Sequence, residues 1–379
     1  GNYKEALELY QELALHPENT SSEAGRDLQR AVSCLSRLNR IQEFDEFIER
    51  VVEVHEGNWW MLTAAGQAYM NVQHQGFIIA GEFERGRHRG GGQPANSTER
   101  DRVRGLQLYQ QAMPLVEANG SADNHAYFYR QFGLYWQRHR NYNQSWRLQY
   151  LTDLSELPDY EEGYYSHYRR GGQPQGAPVD EAGDPIFYHV PERLEDAAND
   201  GERWRWFMMM AVETKPSLRY HVQLEFAEFL RRQFGVQTLR QISGFAGWFG
   251  RGDHGLNGDD ADVQSALLDL PGLKDNEAVA RLASGVKRFT LPDEFSYIKI
   301  FQNLAAENQK HPAESSLSKL AGIFTNRMQY ERAAESWEES IQRFGDSRHE
   351  TKKKALAQIV DNWGRFEPGK PLPAGEKAV

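Results

Sequence analysis

The sequence predicts an all-α fold, a solenoid of helical hairpins broken by three glycine-rich insertions. Three observations lead there. A bulky residue followed by a small one recurs at a fixed helical spacing at two places far apart in the chain. Apolar residues keep the period of an amphipathic helix through most of the 379 residues. Glycine and proline gather in the few stretches where that period fails. A lone helical hairpin cannot bury its apolar face, so hairpins of this kind stack on their neighbours, and such stacks commonly bind other proteins.

Taken in order, Gly1-Asn2-Tyr3 with Ala6, Tyr10, Leu13 and Pro17 reads as the second helix of a hairpin. With no initiator Met, no signal peptide and no apolar run long enough to cross a membrane, the chain is expected to be a fragment of a longer protein. Residues 27–56 follow as a poorer repeat, with Ala31, Cys34, Leu35 and Leu38 on one helix and Phe44, Phe47, Val51 and Val54 on the next. Beyond Trp59-Trp60, Leu62, Ala65-Gly66 and Tyr69 mark a first helix, and Phe77, Ile78, Ile79 and Phe83 are expected to begin its second. A basic, glycine-rich insertion near 85–98 interrupts it, and the helical period resumes at Val103, Leu106, Tyr109 and Ala112.

The two clear units come next. In one, Tyr129, Phe132-Gly133 and Trp136 are followed by Tyr142, Ser145 and Pro158; in the other, Leu317, Leu320-Ala321 and Phe324 are followed by Tyr330, Ala333 and Trp337. A large residue, a bulky-small pair, an aromatic, and later a small residue followed by an aromatic make up the tetratricopeptide pattern. The physical reason is steric. Small residues let two antiparallel helices approach, and the aromatics fill the space between one hairpin and the next.

The expected organisation is therefore a tetratricopeptide-like region over 1–158, a Tyr-, Gly- and Pro-rich excursion over 159–200, and helical repeats over 201–363 with a glycine-rich loop near 243–262. Helices are expected near 276–288 and 293–308, a repeat over 314–345 and a last helix over 351–363. A Pro-rich linker, 364–379, ends the chain. The near copies RGGGQP at 89–94 and RGGQP at 170–174 read as low-complexity loop sequence rather than a duplicated binding loop.

Composition narrows the function. With 54 acidic against 44 basic residues and a net charge of −10, the chain lacks the basic balance of a nucleic acid binder. Its one cysteine, Cys34, excludes an intrachain disulfide framework and a cysteine-rich zinc site, and reads as a buried small hydrophobe. The 12 histidines show no metal-ligand spacing, and no serine sits in a nucleophile elbow. Gly250, Gly252 and Gly255 spell a dinucleotide fingerprint, but the acidic turn Leu256 to Asp260 stands where a helix must receive the pyrophosphate, so no cofactor is expected. The same loop holds Arg251-Gly252-Asp253, a short adhesive motif, and the acids Asp253, Asp259, Asp260 and Asp262 with Asn257, whose spacing is not that of an EF-hand. Asp159, Glu161 and Glu162 adjoin Tyr160, Tyr164, Tyr165 and Tyr168, which keeps a glycan-active enzyme as a distant alternative. Sequons stand at Asn19, Asn96, Asn119 and Asn143.

No catalytic site, cofactor or metal is expected, and the expected partner is a protein or peptide. Candidate contacts are Tyr127, Arg130, Leu134, Gln137 and Arg138, first-helix positions that point away from the packing seam of the best repeat and suit an acidic or extended peptide. Trp248-Phe249, two large aromatics between glycines, are either a plug or an offered contact.

Three segments add a resemblance: Gln233 to Thr238 (QFGVQT), Glu277 to Phe295 (EAVARLASGVKRFTLPDEF) and Gln358 to Pro368 (QIVDNWGRFEP). With the repeats, they resemble the N-terminal helical region of very large bacterial alpha-2-macroglobulin-like proteins of the planctomycete type. The resemblance implies an accessory docking or assembly part of a protease-trapping protein of the cell envelope. The partner would be another protein or the macroglobulin domains of the same polypeptide. The thioester of that family has no counterpart here, since Cys34 is followed by Leu35-Ser36-Arg37. A free-standing repeat scaffold unconnected with proteases remains the alternative.

Overall fold

In the computed structural model, residues 2–19, 22–140, 142–163, 177–236, 269–282, 285–344, 357–359 and 361 are described. They are mostly helical, with two small antiparallel sheets. The chain divides into two compact units, Gly1–Asn141 with Arg147–Gln173 and Tyr188–Pro216, and Tyr142–Trp146 with Pro174–Phe187 and Ser217–Val379. The helical run expected over 201–363 is thus shared between them, parting after Pro216.

In the first unit the helices are α1 (Tyr3–Ala14), α2 (Ser22–Arg37), α3 (Phe44–Val54), α4 (Trp59–Asn71), α5 (Thr98–Asn119), α6 (Ala122–Gln137) and α7 (Asp200–Thr214). α1 buries Leu7 and Ala14, and runs antiparallel to α2, with Arg37 over the Tyr3 ring and Arg30 over the Tyr10 ring. Side-chain oxygens start three helices: Asn58 accepts from Trp60 N, Ser121 from Asn124 N and Asn199 from Glu202 N. Small residues mark the helix crossings. A Cβ on Gly25 would stand 3.0 Å from Ala64 Cβ, bringing α2 against α4. One on Gly66 would stand 3.1 Å from the Gly105 carbonyl, bringing α4 against α5.

Gly133 of the strongest repeat signature also lies at a crossing, but with a partner the sequence did not indicate. The expected second helix through Tyr142, Ser145 and Pro158 is absent. Tyr142–Gln149 form a 3-10 helix and the chain then runs irregularly to Pro158. α7 packs on α6 instead, and a Cβ on Gly133 would meet Met208 Sδ at 2.9 Å and Phe207 Cβ at 3.2 Å. The physical reason lies in α7, whose Trp204, Phe207, Met208 and Ala211 are all buried and fill the space the 142–158 segment leaves.

A second correction concerns Phe77, Ile78, Ile79 and Phe83, which are strand and not helix. β1 (Gln75–Ile79) pairs with β2 (Glu82–Arg85), and β3 (Gln93–Asn96) pairs with the other edge of β1. Ala80 and Gly81 join β1 to β2 at φ 50° and 90°, the left-handed pair that a two-residue hairpin turn requires. Part of the RGGGQP stretch is therefore strand too. β4 (Glu161–Glu162) completes the sheet in the order β2-β1-β3-β4, with Ala95 opposite Glu162 and Asn96 opposite Glu161. The insertion between α4 and α5 thereby meets the insertion between α6 and α7 in one sheet.

Buried charge fastens these insertions to the helices. Arg85 of β2, 3% exposed, donates to both carboxylate oxygens of Asp101 on α5 at 2.7 and 3.0 Å and to both of Asp45 on α3 at 2.6 and 3.0 Å. Arg102, fully buried, donates to Asp200 at the start of α7, to Thr152 and to the Trp136 carbonyl. Glu99 takes both Nη groups of Arg140. Burial works to raise its carboxyl, but the Arg140 bonds and the neighbouring guanidiniums hold it down at about 2.

The second unit carries α8 (Arg219–Phe234), β5 (Glu277–Leu282), β6 (Gly285–Thr290), α9 (Tyr297–Ala306), α10 (Lys310–Asn326) and α11 (Tyr330–Phe344). α8 packs on α9, α9 on α10 and α10 on α11. Of the residues its signature singles out, the α10–α11 hairpin buries Leu317, Leu320, Ala321, Phe324 and Ala333, while Tyr330 and Trp337 are half-buried. The helix expected near 276–288 is instead the β5–β6 hairpin. Ala278, Val279 and Ala280 of β5 are fully buried, so both faces of the strand are covered there, and a short apolar run of this length has no period that separates strand from helix. Arg327, between α10 and α11, donates to the Lys274 and Glu277 carbonyls and to the Tyr297 hydroxyl, tying the hairpin to α9 and β5.

Candidate protein-docking face

The first unit holds a cleft of about 540 Å³ between α2 and α4. Its floor is apolar, with Val32, Ile41, Ala68 and Val72, and its walls are amide and hydroxyl: Gln29, Ser33 and Ser36 from α2, Gln67 and Asn71 from α4, and Gln73 beyond. Among the described residues, Arg37 is the one charged lining residue. The local sequence explains the arrangement, because α2 turns Ala24, Leu28, Ala31 and Leu35 fully into the core and so leaves its polar residues on the opposite stripe.

Hydrogen bonds tie the walls together. Gln29 donates to Gln67 Oε1 and Gln67 to the Tyr109 hydroxyl, each at 3.2 Å. Asn71 donates to the Gln67 carbonyl at 2.7 Å and accepts from Arg138 Nη2. Burial pushes the Tyr109 hydroxyl well above its usual value and the Tyr135 hydroxyl up to about 12, so both stay neutral hydrogen-bonding groups. Among the described residues the lining carries a guanidinium and no carboxylate, in a chain of net charge −10. Amide side chains offer donor and acceptor together, which matches the backbone of an extended peptide.

The sequence-expected contacts divide. Tyr127, Arg130, Leu134 and Gln137 do follow one stripe of α6, with Tyr127 exposed and the other three half-buried. Arg138, exposed, follows the helix in extended backbone and joins the cleft through Asn71. Tyr127 is close enough to Tyr109 and Tyr135 to bear on their titration. Arg130, Leu134 and Gln137 do not line the cleft. Trp248 and Phe249 lie outside the described residues, as do the Gly250 to Asp262 loop and Tyr164, Tyr165 and Tyr168. The residues sequence reasoning passed over are Gln29, Ser33, Ser36 and Arg37, and Gln67 with Asn71. Their signal was a polar stripe with helical spacing beside an apolar one.

Of the other sites weighed in the sequence, Glu161 and Glu162 belong to β4, and Tyr160 stacks on Phe83 at 4.4 Å with Arg100 above it. Cys34 is buried at 6% exposure. Asn96 is buried at 3%, its side chain donating to the Gly163 carbonyl. Among the described residues no group of three or more His, Cys, Asp or Glu side chains is placed to hold a metal ion, and no helix is long and apolar enough to cross a membrane. Compared with protein-family models and with curated proteins, the chain finds no match.

Proposed function

We propose that this chain is a non-catalytic docking module whose α2–α4 cleft holds an extended, acidic peptide segment of a protein partner. The observation that carries the proposal is the lining, amides and hydroxyls over an apolar floor with Arg37 inside and Arg138 at the edge. An extended strand would exchange backbone hydrogen bonds with Gln29, Gln67 and Asn71, while its carboxylates meet the two guanidiniums. The acidic balance of the rest of the chain repels the same ligand elsewhere, which confines it to this face.

The wider setting we propose is the helical part of an alpha-2-macroglobulin-like protease-trapping protein of the cell envelope. The 277–295 segment supports it. With Gln233 to Thr238 and Gln358 to Pro368 it is the sequence stretch that carries the resemblance.

Fluorescence anisotropy with a labelled peptide alternating Glu and Thr tests the docking. Binding that weakens about tenfold in the Arg37→Glu/Arg138→Glu protein supports the proposal, for loss of two partly exposed charge-assisted contacts. Equal binding of the Lys-Thr counterpart, or no effect of the double variant, would refute it.

A further inference from the structure

A second cleft of the first unit, about 420 Å³, has a different chemistry. Phe132, Trp136 and Phe207 form its base, all at most 2% exposed, and Leu154 and Leu194 frame it. One wall is the irregular segment from Leu151 to Leu154, and its hydrogen bonds alternate as those of an extended strand do. Thr152 N donates to Asp200 Oδ1 at 2.9 Å, the Thr152 carbonyl accepts from Arg203 at 2.9 Å, and the Leu154 carbonyl accepts from Gln107 at 3.0 Å. Leu151 and Asp153, the alternate residues, are exposed, and no hydrogen bond among the described residues reaches the backbone N–H or C=O of either. Side chains thus satisfy one edge of this segment and leave the other open, as an unpaired sheet edge is open.

Charge at the rim specifies what pairs there. Asp153, whose Oδ1 accepts from Ser155 N at 2.8 Å, and Glu195 are both exposed lining residues, and among the described residues neither forms an ion pair. The nearby cations are already engaged: Arg203 with Asp200 and the Trp136 ring, Arg193 with Asp196. Leu151 and Asp153 stand two residues apart, so on an extended backbone their side chains lie on one face.

We propose that the Leu151 to Leu154 segment is a docking strand for a second, basic peptide. The peptide adds in extended form to the open edge, setting an apolar side chain against Leu151 and a lysine or arginine against Asp153 and Glu195. Its recognition unit is an apolar residue and a cation separated by one residue, the cross-strand complement of Leu151 and Asp153. This site is separate from the α2–α4 cleft and has the opposite charge preference.

The test uses the full chain and a labelled acetyl-Thr-Lys-Thr-Leu-Thr-Val-amide, which in the antiparallel, hydrogen-bonded register sets Lys opposite Asp153 and Leu opposite Leu151 and whose single charge limits non-specific attraction. Three changes are each expected to weaken binding about tenfold, the effect of removing two backbone bonds or one complementary charge set. They are N-methylation of the peptide at Leu and Lys, replacement of its Lys by Glu, and the exposed double substitution Asp153→Lys/Glu195→Lys in the protein. The Arg37→Glu/Arg138→Glu protein is expected to bind this probe unchanged, so failure of one site does not mask the other. Absence of binding to the unmodified probe would overturn the proposal. So would an N-methylated peptide that binds as well as its parent, or a charge-reversed protein that retains full affinity.

Discussion

Replacing Asp200 by alanine removes the group on which the α5–α7 contact turns. The carboxylate is 1% exposed; Oδ2 accepts from Arg102 at 3.2 Å and from the Thr152 hydroxyl, and Oδ1 from Thr152 N at 2.9 Å and Arg203 at 3.3 Å. Without it, Arg102 is a fully buried guanidinium left with the Trp136 carbonyl and the Thr152 hydroxyl, and its Nε already has no partner. Burial, then Arg140, draws the Arg102 pKa down to about 10, against Asp200 and Glu99, so it remains charged at pH 7. Stranding a buried charge costs about 3–5 kcal/mol, and orphaning Thr152 N adds about 1 kcal/mol. Against a total stability of about 5–15 kcal/mol, the Asp200→Ala protein should lose about a third or more of its stability. Because a buried pair is often replaceable by apolar side chains, Asp200→Ala/Arg102→Met should recover to within about 2 kcal/mol of the original. Urea unfolding at pH 7 followed by tryptophan fluorescence is the assay, since both Arg102 and Arg203 lie over the Trp136 ring. A loss under about 1 kcal/mol for Asp200→Ala, or a double variant no better than the single one, would refute the reasoning.

Three further outcomes are expected. Gly133→Leu should destabilise by about 1–3 kcal/mol despite the better helix propensity of leucine, because its Cβ meets Met208 Sδ at 2.9 Å; a neutral result in the same urea assay would mean that α6 and α7 do not cross there. Ala80→Gly should stabilise by about 0.5–1 kcal/mol by relieving a φ of 50° in the β1–β2 turn, read as a rise in Tm; no rise would count against that turn. Burial, then His74 and Arg138, lowers the His139 pKa to about 4 from 6.5. A lowered histidine favours the native state above the unfolded pKa. Its contribution, about 1–3 kcal/mol, is therefore lost as pH falls from 6.5 to 4. His139→Asn, which tolerates the φ of 57°, should flatten that part of the stability-pH curve, and an unchanged slope would contradict the assignment.

What the sequence made legible followed from local sterics. Gly66, Gly133 and Ala321 announced close helix contacts because only a small side chain lets two backbones approach, and each is buried where helices pack. Gly133 did not say which helix would come. Its partner α7 lies far along the chain, and pairing at that separation leaves no local mark. Phe77-Ile78-Ile79 and Glu277 to Leu282 misled because runs so short have no resolvable period; the β-branched isoleucines and the Ala80-Gly81 turn were the signals for strand. The α2–α4 cleft was legible only in part. Arg138 belonged to an expected helix face, but Gln29, Ser33, Gln67 and Asn71 resemble any solvated stripe until α2 and α4 bring them together. Likewise Leu151 and Asp153 acquire meaning only when Thr152 and Leu154 are seen held from one side.

The most direct test of the proposed docking is photo-crosslinking from inside the cleft. A benzoylphenylalanine replaces exposed Ser33 in one protein and exposed Glu53 of α3 in a control, and each is irradiated with the labelled Glu-Thr peptide. Docking between α2 and α4 predicts a crosslink from position 33 that excess unlabelled peptide abolishes, and none from position 53. Equal crosslinking from both positions, or none from position 33, would contradict it.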